Sequence, residues 1–349
     1  MIFPKINAFP TYWENGMKLS ASHFQHLENS IEDAVRDARA LALAGNGGFG
    51  LLPNSIFTIQ NRQGTTPQSV QVVLSACRAV MPGGYRIEIL PENVQGKQLP
   101  EKAPSVEFVP NPSVRYHLFL VVDELKRVPA GMPQTRPIRY PHLVPDYKLE
   151  ILPQDKVVAA RKIASNRMKI AEWQQGKIVE GYIPPAMIIH GFPLLERWHQ
   201  FMHNQLENMV RMSIQVIQEH KVKDPARAAF CAPIIQFIKS SQGYFKYVIP
   251  FRSPQYLVAY YADLAGLAES QIMLADRDFS RNRLKHGEIN GLLPSIRELM
   301  NPRVIPLEEM AVMMNRMQKF GEALLLTIRS LITYTAPKPK SGDWNISSG

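Results

Sequence analysis

Trp13-Glu14-Asn15-Gly16-Met17-Lys18-Leu19-Ser20-Ala21-Ser22-His23-Phe24-Gln25 is the stretch on which the reading of this chain turns. Gly16 allows a turn that a side chain would obstruct. Ser20 is a good helix N-cap, and it puts Leu19 at N′ and Phe24 at N4, the spacing of a hydrophobic staple. Ser22 with Gln25 makes a competing capping box, which leaves the helix start open by two residues. Beyond it Phe24, Leu27, Ile31, Val35, Ala38 and Leu41 recur every three or four residues, one apolar stripe on an amphipathic helix. Glu28, Glu32, Asp33, Arg36, Asp37 and Arg39 fall mostly off that stripe, and Gly45 is placed to end the helix. The spacing predicts a turn feeding a docked helix over about 20–44, with Trp13 as a large apolar anchor before it.

The 349 residues suggest two domains or three. Hydrophobic residues are 45% of the chain and charged residues 20%, which supports ordinary cores and excludes a solvated, disordered chain. The formal net charge of +10 raises nucleic acid and anionic membrane as partner classes. The basic residues are scattered, however. The densest groups, Arg161-Lys162 with Arg167 and Lys169, and Arg277 with Arg281, Arg283 and Lys285, read as solvated faces. Cys77 and Cys231 are too far apart in sequence for a disulfide framework or a metal-binding spacing, which fits a reduced cytoplasmic protein. The N-terminus has no signal-peptide core, and no apolar run reaches the length of a membrane span, so no direct membrane insertion is expected.

After the first helix, Gly45-Asn46-Gly47-Gly48-Phe49-Gly50 has the composition of a phosphate loop but the wrong context, a helix before it and β-type segments after it. It reads as a flexible linker. From about Leu51 to His190 the pattern is β. Ile56–Ile59, Val70–Leu74, Tyr85–Leu90, Val114–Val122, Tyr147–Ile151 and Met168–Trp173 are short, apolar or alternating, and separated by turn residues. No helix-period segment of useful length interrupts them, so an antiparallel sandwich is favoured over a parallel sheet. Pro129, Pro133, Pro137, Pro141 and Pro145 stand at intervals of four, which predicts an extended β–β connection or an exposed binding loop. Gly181-Tyr182-Ile183-Pro184-Pro185-Ala186-Met187 closes the region, its tandem proline leading rigidly into an edge segment.

The period then changes. Helical patterns run from Pro193 to about Glu219, from Asp224-Pro225 to about Ser241 with Gly243 ending it, and on from Ser253-Pro254. A broken segment lies around Leu292 to Met300. A fourth long helix then runs from Pro306 to Leu331, with Met310, Met313, Met314, Met317, Phe320, Leu324 and Ile328 as its stripe. Four long helices with short connections make a bundle, and its methionines read as adaptable core. The fold class is therefore α+β multidomain. Residues 1–190 form an antiparallel β-sandwich domain with an early amphipathic helix, 191–335 a four-helix bundle, and 336–349 a flexible tail.

No constellation for catalysis, cofactor or metal stands out. His199 and His203 are four apart on a helix, but residue 200 is Gln rather than Glu and no further ligand completes a set, so a helix-surface pair is expected. Asp276 and Asp278 are bracketed by arginines and read as local ion pairs. No Gly-x-Ser-x-Gly elbow occurs. The chain is read as a non-enzyme without cofactors.

The opening motif, as Trp13-Glu14-x-Gly16-Met17-x-Leu19-x-x-x-His23-Phe24-Gln25, resembles the opening signature of the TssK family of type VI secretion baseplate proteins. Ile183-Pro184-Pro185 resembles the motif that ends the N-terminal domain of that family. Ser253-Pro254-Gln255-Tyr256 through Leu264-Ala265-Gly266-Leu267 resembles one of its helices, more weakly. The resemblance implies an N-terminal sandwich like the shoulder domain of phage receptor-binding proteins, followed by a helical bundle. It implies a homotrimer that attaches to the TssF and TssG wedge and links the baseplate to a membrane-anchor protein at the inner face of the inner membrane, with no nucleic acid among its partners; the alternatives are another phage-tail-like baseplate or receptor-binding protein and, on net charge alone, a basic nucleic-acid-binding module. In this reading Trp13, Met17, Leu19 and Phe24 are the hub that orders the N-terminal domain, and His23 is a hydrogen-bonded structural histidine. The chain departs from the family where only a short polar tail follows the fourth helix, with no third domain, which puts docking to the usual TssJ–TssL–TssM complex in doubt.

Overall fold

Two antiparallel sheets share one core in the first part of the chain. The computed structural model describes residues 8–44, 48–90, 103–130, 134–135, 138–139, 142–157, 166–222, 224–274, 286–300 and 309–333. It opens with α1 (Ala21–Ala44). The first sheet contains β1 (Gly50–Leu51), β2 (Thr58–Gln63), β3 (Val70–Val80), β4 (Arg86–Ile89) and β5 (Ser105–Phe108). β3 is its spine. Its first half lies between β2 and β5 and its second half between β1 and β4. The second sheet uses β6 (Tyr116–Ala130), β9 (His142–Pro153), β10 (Arg167–Gln174) and β11 (Lys177–Ile178) in the order β11-β10-β6-β9. The short pair β7 (Gln134–Thr135) and β8 (Ile138–Arg139) lies between β6 and β9 in sequence. A four-residue helix, α2 (Gln154–Val157), follows β9.

Alternation builds the core, and two bulges reset it. On β6 the inward residues are Tyr116, Leu118, Leu120 and Val122, an unbroken period of two. On β3 they are Val72 and Leu74, then Cys77, Ala79 and Met81 just beyond the strand. The change of parity follows from a register shift opposite Thr58 and Ile59, where Ser75 is the extra residue. On β10 the same device separates Met168 and Ile170 from Ala171 and Trp173. Side chains of both sheets meet in this single cluster, which makes the arrangement a sandwich. Each of the large side chains it hides contributes roughly 1.5–3 kcal/mol.

Several expected boundaries move. β2 begins at Thr58 rather than Ile56 and continues through polar residues. β3 extends past Leu74 to Val80. Gly50, expected in a linker, belongs to β1. The proline-rich stretch is partly a paired hairpin arm, with Pro129 opposite Leu143 and Pro145 opposite Arg127. Proline is tolerated there because, among the described residues, β9 is an edge strand and β10 pairs β6 only as far as Val121, so this part of β6 has no second described neighbour in the ladder. The remainder of that stretch, Gly45 to Gly47 and the tail at 336–349 lie outside the described residues.

The helices follow: α3 (Pro193–His220), α4 (Pro225–Tyr247), a 3-10 turn at Ile249–Phe251, α5 (Gln255–Leu274), α6 (His286–Met300) and α7 (Met310–Thr333). The helix expected to stop at Gly243 continues to Tyr247. Gly243 keeps an ordinary backbone conformation, and Phe245 beyond it is buried. The segment read as broken is the helix α6, with Pro294 inside it and Leu292, Ile296 and Leu299 buried. Five long helices, rather than four, therefore follow the sandwich among the described residues.

The chain divides into two compact units, one of Met1–Gln200, Tyr244–Ala259 and Arg303–Met314, the other of Phe201–Gly243, Tyr260–Pro302 and Asn315–Gly349. In the second, Met202, Leu206, Phe230, Ile234, Leu264 and Phe320 are among the buried side chains. The Tyr261 hydroxyl donates to Met202 O at 3.1 Å and lies 3.2 Å from Gln205 Oε1. Buried Arg227 donates to Leu331 O at 2.7 Å, closing the C-terminal end of α7, and pairs with Asp224 at 3.0 Å. Met310, Met313 and Met314, which belong to the first unit, and Met317, which belongs to the second, are each buried, as adaptable core of their own unit.

Candidate protein-interaction site

The site is built from an arm, a turn and α1. Met17 N donates to Glu14 O at 3.2 Å across Gly16, whose φ of +85° is that of the third residue of a type II turn. The turn sets Trp13 against the start of the helix, its ring 6.2 Å from His23 and 6.3 Å from Phe24. Ser20 stands immediately before that start. Its backbone N–H donates to His23 Nδ1 at 3.2 Å and its hydroxyl lies 3.0 Å from the same nitrogen. His23 thus occupies the N3 position that Glu or Gln fills in a capping box. The Thr11 hydroxyl donates to His23 O at 3.2 Å and Ala8 N donates to Asp33 at 3.1 Å, so the arm runs back along the helix.

The helix docks by its polar side. Among the described side chains of the helix Asp33 and Arg36 are the buried ones, joined at 2.6 Å. Arg36 also donates to the Tyr85 hydroxyl at 3.1 Å, beside β4, and to Asp37 at 2.9 Å. Burial works against the Arg36 charge, but the bonds to Asp37 and Tyr85 and the charge of Asp33 outweigh it and raise its pKa. Arg127 of the hairpin arm pairs with Glu32. The expected docking face is therefore reversed. Phe24 is 50% exposed, Ile31 54% and Leu41 64%. At 3.6 residues per turn, Ile31 and Val35 fall within roughly 20° of Phe24, and Asp33 about 180° away.

The motif residues lie as follows. Trp13, Leu19 and Phe24 are exposed, Met17 is half-buried, and Gly16 and Gln25 are exposed. Phe24 has Trp13 against it. Ile183, Pro184 and Pro185 form a second feature of the same unit. Leu51 N donates to Pro185 O at 2.7 Å and Met187 N to Leu51 O at 3.0 Å, a parallel bridge beside β1. Gly50 makes this possible, since a Cβ there would lie 2.1 Å from the Pro185 carbonyl carbon. Two signals were legible only with coordinates: the buried Asp33–Arg36 pair and its partner Tyr85.

Other chemistry-bearing groups are absorbed by the fold. His199 is buried rather than on the helix surface, stacked on Phe245 with Nε2 3.0 Å from its carbonyl. Cys77 and Cys231 are buried free thiols whose pKa burial pushes up to about 12, which keeps them protonated at neutral pH. Among the described residues no group of three His, Cys, Asp or Glu converges as a metal site, and no helix is long and apolar enough to cross a membrane. Arg167 lies over the Phe119 ring and pairs with Glu150, while Lys169 pairs with Glu172. The other basic groups singled out in the sequence, at 161–162 and 277–285, lie outside the described residues.

Solved structures settle the fold. A crystal structure of TssK matches 95% of this chain and 71% of its own, with a TM-score of 0.53 at 15% identity. This chain has a TssK-like fold. A chain of the type VI secretion baseplate complex matches over 91% of this chain and 99% of its own, with a TM-score of 0.50 at 16% identity. TssK bound to a nanobody matches over 88% and 69%, with a TM-score of 0.52 at 13% identity. No family profile and no curated protein sequence matches. The TssK-like fold thus carries the sandwich-then-helices order that the opening motif implies, at a sequence identity too low to carry more than the fold.

Proposed function

We propose that this chain is a structural adaptor of a type VI secretion baseplate. In this reading it assembles as a homotrimer, attaches to a TssF–TssG wedge and links the baseplate to a membrane anchor at the cytoplasmic face of the inner membrane. The observation that carries the proposal is the TssK-like fold across most of the chain together with the Trp13–Gln25 motif, two signals of independent origin. The exposed apolar stripe of α1 adds support, because contiguous apolar surface on a folded protein marks contacts with other proteins. Its chemistry is binding rather than catalysis. The pairing of Arg36, Arg127, Arg167 and Lys169 with carboxylates speaks against a basic stripe for nucleic acid.

A cellular experiment tests this. Fluorescently labelled TssF is followed in the host bacterium, where the proposal expects it to gather in baseplate foci. Deleting the gene for this chain should abolish those foci and restoring it should return them. Foci that persist unchanged in the deletion strain contradict the proposal.

A further inference from the structure

A contact between two basic side chains holds the end of α7. The final carbonyls of a helix have no partner within it. At the end of α7 Arg227 supplies one, donating through Nη1 to Leu331 O at 2.7 Å. The same Nη1 lies 3.1 Å from Nε2 of His220, in the last turn of α3. Arg227 comes from the first turn of α4, so one guanidinium nitrogen joins three helices of the second unit. Little water reaches the group: the Arg227 side chain is 3% exposed, Asp224 beside it 11% and His220 15%.

The chemistry of the two groups fixes their protonation. A guanidinium carries hydrogens on every nitrogen, offers no acceptor and keeps its charge. The 3.1 Å contact is therefore a hydrogen bond only with His220 Nε2 accepting, which makes the ring neutral with its hydrogen on Nδ1. A proton on Nε2 turns the acceptor into a second donor and sets two cations against each other where water screens them poorly. The surrounding charges do not cancel this. Asp224, in the turn before α4, pairs with Arg227 Nε at 3.0 Å and so offsets the guanidinium that is already there. Glu219, the neighbour of His220 on α3, has an oxygen 3.9 Å from Nε2, beyond hydrogen-bond reach, and its exposed carboxylate accepts from Gln215 at 2.8 Å. α7 brings the neutral Leu331 carbonyl.

We propose that His220 and Arg227 form an acid-sensitive clamp on the C-terminal end of α7, closed while His220 Nε2 carries no proton and opened when it gains one. The clamp is closed above the range in which an ordinary imidazole titrates, about pH 6.5, and opens as pH falls through it. That range lies above the one in which carboxylates titrate, so the clamp opens before acid reaches the sandwich. In sequence α7 runs on into Tyr334–Gly349, and the clamp sets how firmly the root of that segment is held. The device belongs to the second unit alone and does not depend on the adaptor reading.

The test follows hydrogen exchange of the full chain at the end of α7, residues 328–333, between about pH 8 and about pH 5, with protection corrected for the intrinsic rate at each pH. Protection there should fall at least about tenfold on acidification, while α5 around Leu264 keeps its own. His220→Gln offers Arg227 an amide oxygen that does not titrate, and should hold the end of α7 equally at both pH values. His220→Lys carries a charge throughout and should leave it loose at both. The native chain gives a readout that needs no variant to fold: the nitrogen NMR signals of the His220 ring should be those of a neutral imidazole with its hydrogen on Nδ1 at about pH 8. Protection at 328–333 that does not change with pH overturns the proposal. A loss that persists undiminished in His220→Gln, or a neutral ring with its hydrogen on Nε2, overturns it equally.

Discussion

Asp33 and Arg36 lie 2.6 Å apart on the side of α1 opposite Phe24, and among the described side chains of the helix they are the ones that the fold buries. The pair fixes which way the helix turns its apolar stripe. Removing one partner strands the other in a place with little water, which costs far more than an exposed pair is worth. Arg36→Met should therefore loosen α1 by about 3 kcal/mol. Hydrogen exchange along residues 21–44 measures this directly. The expected outcome is faster exchange there with the sandwich strands unaffected; unchanged protection of α1 would remove the docking role given to the pair.

Gly50 and Pro185 make a second contact with no room for change. The φ of +126° at Gly50 already excludes ordinary side chains, and a Cβ would meet backbone at 2.1 Å. Gly50→Ala should destabilise the first unit by roughly 2–3 kcal/mol or more. Thermal denaturation reads this as a lowered Tm. A variant as stable as the native chain would mean that the Ile183-Pro184-Pro185 segment does not run beside β1.

Gly321 serves the second unit in a different way. A Cβ at this position would lie 2.0 Å from Gln205 Oε1, the atom next to the Tyr261 hydroxyl. The obstacle is the end of a side chain, which can swing aside at the loss of that contact. Gly321→Ala is expected to cost about 1–2 kcal/mol, less than Gly50→Ala. Urea denaturation of the two variants side by side gives the order, and the reverse order contradicts the packing described.

Acid should weaken the sandwich through Glu172. Burial raises its pKa, but Lys169, Arg115 and His117 outweigh this and hold the carboxyl below its usual range. A carboxyl lowered in the folded state adds stability above its unfolded value, about 4.3, and that stability is lost as pH falls through the folded value. Stability followed by denaturation should therefore drop as pH falls below about 4. Glu172→Gln should be less stable at neutral pH and show a flatter acid limb. An acid limb as steep in the variant as in the native chain would assign the loss to other carboxylates.

Much of the architecture was legible in the residues. The apolar run Val114–Val122 reads directly as a strand and lies largely in β6, and the proline starts of α4 and α5 are local signals that the structure keeps. Where the reading stopped short, a rule of periodicity had met a local exception. β3 looked as though it ended at Leu74 because the bulge at Ser75 moves its inward residues from even to odd positions. β2 was cut short because its later residues are polar and exposed. Gly243 looked like a helix end because its effect depends on what packs beyond it, and Phe245 is buried. The stripe of α1 was found correctly, but periodicity shows only that a helix has two faces. Which of them turns inward was decided by Tyr85, distant in sequence, and by a buried ion pair that composition reads as solvated.

The measurement that tests the account most directly is co-purification of this chain with its cognate TssF and TssG proteins, at low and at high salt, with the mass of the complex determined at each. An adaptor held by an apolar contact should be recovered with both partners at both salt concentrations, in a complex holding three copies of this chain per attachment. Recovery of neither partner, or an association that vanishes at high salt as phosphate-backbone binding does, would contradict the adaptor reading.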